Sequence, residues 1–174
     1  FLPYGNEFKT GGELMSDRQD VLFEIDTNSA RVTFIQSGVW PEFMHENKSY
    51  DSDDFFIRFV ERYVDRDDKD VVLHTLSIEE IQNASWESRP LISVEFRAFS
   101  PESGLYEWYL ASIITPRIGK SYGSIQNIQR EKEKQLSMLY RADHDTLTGL
   151  LNRTAFEQKL LSFLSKPETP GTFY

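Results

Sequence analysis

What narrows the possible folds most is a pair of long alternating runs late in the chain. Ile92, Val94, Phe96 and Ala98 alternate with Ser93, Glu95, Arg97 and Phe99, which is the two-residue period of a strand. Pro101-Glu102-Ser103-Gly104 supplies turn chemistry. Leu105 to Thr115 then places Tyr106, Trp108, Leu110, Ser112 and Ile114 on one face of a second strand. After a loop at Pro116–Lys120, Gly123–Ile128 reads as a third strand. Loops this short favour an antiparallel meander. Val21–Asp26 and Arg31–Ile35, joined by Thr27-Asn28-Ser29, add an earlier hairpin. The expectation is an α+β chain with a five-stranded antiparallel sheet.

Helices fill the middle. Ser52 is expected to cap a helix whose apolar positions, Phe56, Phe59, Val60 and Tyr63, fall on one face. Asp65 to Leu76 reads as a second helix with acids at its positive end. Ser77-Ile78-Glu79-Glu80 has the form of a capping box, so a short third helix follows. Pro90 closes the helical part. The clusters Asp51/Asp53/Asp54 and Asp65/Asp67/Asp68 lack the glycine and distal Glu of a calcium loop and are read as helix starts facing water. Gln129 to Ala142 is a charged helix with no Gly or Pro. Its thin stripe of Leu136, Leu139 and Tyr140 is too narrow to bury much alone, so pairing with a second copy is expected.

Composition removes several classes. With 28 acidic against 19 basic residues the net charge is -9, which repels nucleic acid and acidic membrane surfaces. No cysteine is present, so disulfides, thiolate metal sites and a cysteinyl flavin adduct are excluded. No apolar stretch is long enough to cross a bilayer and no leader is visible, which suggests a cytoplasmic location with any membrane anchor outside these residues. The start at Phe1 and the end at Tyr174 are read as cuts in a longer polypeptide.

The order of elements resembles a PAS domain over about residues 19–129, and particular strings carry the resemblance. Phe59 to Lys69, with Asp65-Arg66-Asp67-Asp68, is similar to the stretch that ends in His-Pro-Asp-Asp-Arg in that family. Glu95-Phe96-Arg97, the turn at Gly104 and Tyr106-Glu107-Trp108-Tyr109 match its Glu-Tyr-Arg, Asp-Gly and Tyr-Arg-Trp. Gly123 to Gln129 sits where the family has a glycine, a strand and an Asp-Ile-Thr exit. Here Asn127 replaces the acid, which implies a neutral and weaker anchor at the domain exit.

A second string, Ala142-Asp143-His144-Asp145-Thr146-Leu147-Thr148-Gly149-Leu150-Leu151-Asn152-Arg153, resembles the opening of a GGDEF domain, Asp-x-Leu-Thr-Gly-Leu-x-Asn-Arg. That family is known for diguanylate cyclases, which condense two GTP into cyclic di-GMP with Mg. Gly149 relaxes the backbone at a bend and Asn152 is placed to cap a helix over Arg153–Ser165. The resemblance implies structural roles for Asp145, Thr148, Gly149, Asn152 and Arg153, including an Asp145–Arg153 ion pair. The family's Gly-Gly-Asp/Glu-Glu-Phe signature and its metal carboxylates lie later than this helix, so no catalytic residue and no metal ligand is carried over.

The expected layout is a lead-in over 1–18, a PAS-like sensor over 19–128, a linker helix over 129–143 and the start of a truncated GGDEF domain over 144–174. The fragment itself is expected to be inactive and its parent a diguanylate cyclase needing GTP and Mg. Candidates to bind a small-molecule ligand are His74, Arg97, Trp108 and Tyr109. Arg97 in a cavity could hold a carboxylate, although alternation with Phe96 turns it and Glu95 to solvent, which is the preferred reading. His74 lies where haem-binding PAS members place an axial ligand, but an ordinary solvated helix histidine is preferred and no cofactor is assigned. Two alternatives remain: a non-enzymatic PAS dimerisation module on a degenerate GGDEF domain, and a haem-based gas sensor.

Overall fold

A computed structural model describes residues 19–84, 89–115, 120–145 and 148–164. The chain divides into two compact units, one through Gln129 and the other from Arg130. The lead-in over 1–18 and the loop at Pro116–Gly119 lie outside the described residues, as do Thr146 and Leu147.

The first unit is an α+β layer pair. Strands β1 (Val21–Asp26), β2 (Arg31–Ser37) and β3 (Ser49–Asp51) precede helix α1 (Ser52–Tyr63), a 3-10 turn (Arg66–Asp68), α2 (Lys69–Leu76) and α3 (Ile78–Asn83). Strands β4 (Leu91–Ser100), β5 (Leu105–Ile114) and β6 (Ser121–Asn127) complete a six-stranded sheet of order β3-β2-β1-β6-β5-β4. The pairings between these strands are all antiparallel.

Local chemistry accounts for most boundaries. The β1–β2 turn is held by Asp26 Oδ1, which accepts from the N–H groups of Asn28 and Ser29 at 3.0 and 3.2 Å. These bonds hold the Asp26 carboxyl below the usual range. The Ser77 hydroxyl caps α3 by accepting from Glu80 N–H at 3.2 Å, as the capping-box pattern predicts. The cap of α1 is one residue earlier than expected. Asp51, not Ser52, accepts from Asp54 N–H at 3.0 Å, and Ser52 is buried in the first turn. The reason is the sixth strand: β3 pairs Tyr50 with Val32 and Asp51 with Arg31, which leaves Asp51 extended at the point where the helix begins. The expected helix over Asp65–Leu76 is instead a 3-10 turn followed by α2, and it starts after Asp65, whose backbone is extended (φ -58, ψ 143) and donates to Arg97 O of β4.

The helices and the inward sheet face enclose an aromatic core. Phe23, Phe34, Trp40, Phe55, Phe56, Phe59, Phe96 and Tyr109 are each at most 2% exposed. Ring centroids lie 4.6 Å apart for Phe34–Phe55, 4.9 Å for Trp40–Tyr109 and 5.1 Å for Trp40–Phe59. Burying each such side chain is worth about 1.5–3 kcal/mol, with a further ~0.5–1.5 kcal/mol from well-placed ring pairs. Gly123 on β6 faces the Phe23 ring, which occupies the space a side chain there would fill.

Among its described residues the second unit holds α4 (Gln129–Asp143) beyond Gln129, a turn and a second helix. Helix α4 buries none of its described residues, and Leu136, Leu139 and Tyr140 are 66%, 65% and 54% exposed. Helix α5 runs from Arg153 to Leu164 and buries Ala155.

Candidate functional site

The residues of most functional interest gather on the paired strands β4 and β5, where β4 meets the α1–α2 connection and β5 meets the start of α4. β4 is an edge strand. Val64 forms a bridge with Ala98, and Asp65 N–H donates to Arg97 O at 2.8 Å, so the segment after α1 covers that edge. Asp68 completes the cover. Its Oδ2 accepts from the Arg97 backbone N–H at 2.8 Å and from Nε at 2.9 Å, while Oδ1 accepts from Nη2 at 3.2 Å. Asp65 and Asp67 approach Nη2 at 3.1 and 3.6 Å. Burial acts to raise the Asp68 pKa, but the Arg97 hydrogen bonds and charge outweigh it and hold the carboxyl below its ordinary value. The Arg97 guanidinium lies 5.6 Å from the centroid of the Trp108 ring.

This clasp corrects the reading of Asp65 and Asp68 as helix-start acids facing water. Their side chains are 28% and 18% exposed, and Asp67, at 80%, is the one in solvent. Arg97 is on the outward parity of β4, as alternation predicts.

The four candidate ligand residues do not share a cavity. Trp108 and Tyr109 are consecutive on β5 and therefore face opposite sides of the sheet. Arg97 and Trp108 meet on the outer side, whereas Tyr109 is in the core, 1% exposed. His74 is exposed on α2, a helix that buries Val72 and Leu76. An open groove of about 570 Å³ is lined by Gln19, Gly38, Trp40, Tyr63, Pro101 and Glu102, and none of the four candidates lines it. Among the described residues no group of three or more His, Asp or Glu could hold a metal ion, and no helix is long and apolar enough to cross a membrane.

The far edge of β5 carries the exit. Trp108 O accepts from Ile128 N–H at 2.8 Å, which extends the β5–β6 ladder by one step. The chain then turns into α4, and the Gln129 side chain takes over as acceptor: Trp108 N–H donates to Gln129 Oε1 at 3.1 Å. Asn127 Oδ1 accepts from Gln129 N–H at 2.9 Å, an Asx turn that starts the helix. Asn127 Nδ2 donates to Glu107 Oε2 at 2.7 Å, and Tyr109 OH donates to the same oxygen at 3.3 Å. The amide at 127 is thus not held by neutral bonds alone, since one partner is a carboxylate. An acid there would face Glu107 with like charge. Burial raises the Tyr109 pKa to about 12, so the phenol stays protonated and donates throughout the neutral range.

In the second unit the turn is built from the residues the sequence singles out. Asp145 Oδ1 accepts from Thr148 N–H at 2.9 Å and from its hydroxyl at 3.0 Å. Gly149 has φ +70, a conformation that disfavours any side chain, and its N–H donates to Asp145 O at 2.9 Å. Asn152 caps α5 by accepting from Ala155 N–H at 2.9 Å, and its Nδ2 donates to Ala142 O at 2.6 Å. Arg153 pairs with Glu157 at 2.9 Å within α5. The His144 and Tyr140 rings stack at 3.9 Å.

Sequence reasoning missed Asp65, Asp68, Glu107 and Gln129. Glu107 had a signal: it shares the inward parity of Tyr109, where a charge calls for a partner. Compared with the models of known families and with curated proteins, the chain matches neither a family nor a relative.

Proposed function

We propose that the chain is a regulatory fragment in which a PAS-like sensor passes its state through α4 to the opening of a GGDEF-type diguanylate cyclase domain. The observation that carries this reading is the turn from Asp145 to Ala155. Four of the five positions taken from the resemblance act in the turn: Asp145 fastens Thr148, Gly149 takes a positive φ, and Asn152 caps α5, while Arg153 pairs with Glu157 inside that helix. The sensor assignment is supported by the element order, three leading strands, helices, then a three-stranded meander, around one antiparallel sheet. Only Ile128 separates the last strand from α4, so a change in the sheet is felt at the helix start.

Homodimerisation through α4 belongs to the same proposal, because Leu136, Leu139 and Tyr140 lie at spacings of three and four and stay exposed. In this mechanism a signal shifts the population between two registers of the paired helices and so changes how two cyclase domains face each other. The fragment contributes no catalytic group. The core between sheet and helices is filled by aromatic rings, which supports a sensor that responds at its surface rather than one that holds haem at His74.

The test joins this chain, in register at the Asp145–Arg153 turn, to the catalytic remainder of an active diguanylate cyclase. Cyclic di-GMP formation from GTP and Mg is the expected result. A soluble, folded chimera that binds GTP yet makes no product, beside a parent cyclase that does, would overturn the assignment of the turn.

A further inference from the structure

We infer that Arg97 and Trp108 form a side-chain link through which the α1–α2 connection controls Gln129, the residue that starts α4. The inference rests on contacts within the first unit and does not depend on the cyclase reading.

The geometry of the ladder makes the case. Arg97 and Trp108 are opposite each other in the β4–β5 register. The Arg97 N–H and carbonyl point outward, to Asp68 Oδ2 and Asp65 N, both at 2.8 Å. The Trp108 N–H and carbonyl point the other way, to Gln129 Oε1 at 3.1 Å and Ile128 N at 2.8 Å. The two residues are therefore a non-hydrogen-bonded antiparallel pair, the kind in which side chains approach most closely. What joins them directly is the guanidinium over the indole, 5.6 Å from its centroid. On its other side that guanidinium is held by the fork of Asp68, at 2.9 and 3.2 Å, and by Asp65 at 3.1 Å. The chain of contacts runs from the segment between α1 and α2, across β4 and β5, to the residue that starts α4.

Arg97 is docked between the acids and the indole, and the proposed second arrangement is its release to water. Its side chain is 33% exposed, so release needs no opening of the core. In the docked state the cation immobilises the Trp108 ring and, through it, the β5 segment whose backbone holds Ile128 and Gln129. Release withdraws that support. A cation–π contact at such a partly exposed site corresponds to a factor of about two to five in an equilibrium. By linkage, loosening the Gln129 contact weakens the docking of Arg97 by the same factor.

The experiment is amide hydrogen exchange followed by NMR on the full chain. Asp68→Asn is expected to speed exchange at the Trp108 and Ile128 amides about two- to fivefold relative to Ile25 and Val32 in the β1–β2 hairpin. Adding Trp108→Leu should abolish that D68N effect, since the backbone offers no direct route between the two residues. Reciprocally, Gln129→Met should speed exchange at the Arg97 amide. Equal acceleration at all these amides, or none at Trp108 and Ile128, or a D68N effect that survives W108L, overturns the inference. If D68N does not fold, Arg97→Lys, which keeps the charge but loses the fork to Asp68 and the planar contact with Trp108, is read by the same three criteria.

Discussion

Replacing Gly123 by Ala tests the packing that fixes β6 against β1. A Cβ at 123 would stand 2.9 Å from Phe23 Cε1 and nearer still to Cζ and Cε2. Carbon atoms in contact prefer about 3.5–4.0 Å, so the ring must retreat by roughly an ångström. It has nowhere to go: Phe34 and Phe56 stand 5.9 and 5.7 Å away, centroid to centroid, and Phe23 is 1% exposed. Overpacking of this kind costs about 1–3 kcal/mol, and a rigid ring walled by two others belongs in the upper half of that range. At roughly 4 °C per kcal/mol for a unit of this size, the melting midpoint should fall by about 8–12 °C. The assay is thermal unfolding of the full chain followed by near-ultraviolet dichroism, which reports the aromatic core. Phe23→Leu removes the far ring atoms, so G123A should cost at least ~1 kcal/mol less in the F23L background. A fall below about 2 °C, or additive effects of the two substitutions, would refute the argument that the ring fills the space above Gly123.

Two further outcomes follow from the geometry. Leu136→Asp with Leu139→Asp should convert a dimer to a monomer by sedimentation equilibrium while leaving the dichroism of the sheet unit unchanged; a wild-type chain monomeric at high micromolar concentration would remove the pairing role of α4. Asp68 titrates below its ordinary value because Arg97 holds it. Its stabilising contribution is therefore complete above the unfolded pKa of about 3.9 and is lost as pH falls through the folded value. The gap in urea midpoint between wild type and D68N should be constant from pH 7 to about pH 5 and close on further acidification; a gap independent of pH down to the lowest folded condition would contradict the clasp.

How far the sequence was legible depended on the range of the interaction. Ile92, Val94, Phe96 and Ala98 announce their inward face by alternation alone, and all four are buried. Ser77 and Asn152 announce caps because a cap bonds two or three residues ahead. The three-residue strand Ser49–Asp51 is too short to alternate, and its Tyr50 packs on Phe55, 5.0 Å between centroids, a contact that no local pattern announces. Missing it moved the cap of α1 from Asp51 to Ser52. The Asp68–Arg97 clasp joins residues 29 apart in sequence, and Trp108–Gln129 residues 21 apart. No local pattern encodes either pair. Trp108 and Tyr109 are set apart for a simpler reason, since two adjacent strand residues face opposite sides of a sheet.

If α4 carries the state of the sheet to a following domain, as proposed, output depends on helix phase. In the cyclase chimera, one, two, three or four alanines are inserted after Arg130, and cyclic di-GMP formation is measured for each. Each residue turns the helix by about 100°, so output should swing with insertion number and return near the starting value at four residues, close to one full turn. Output that declines steadily with length, or does not change, would contradict transmission through the helix.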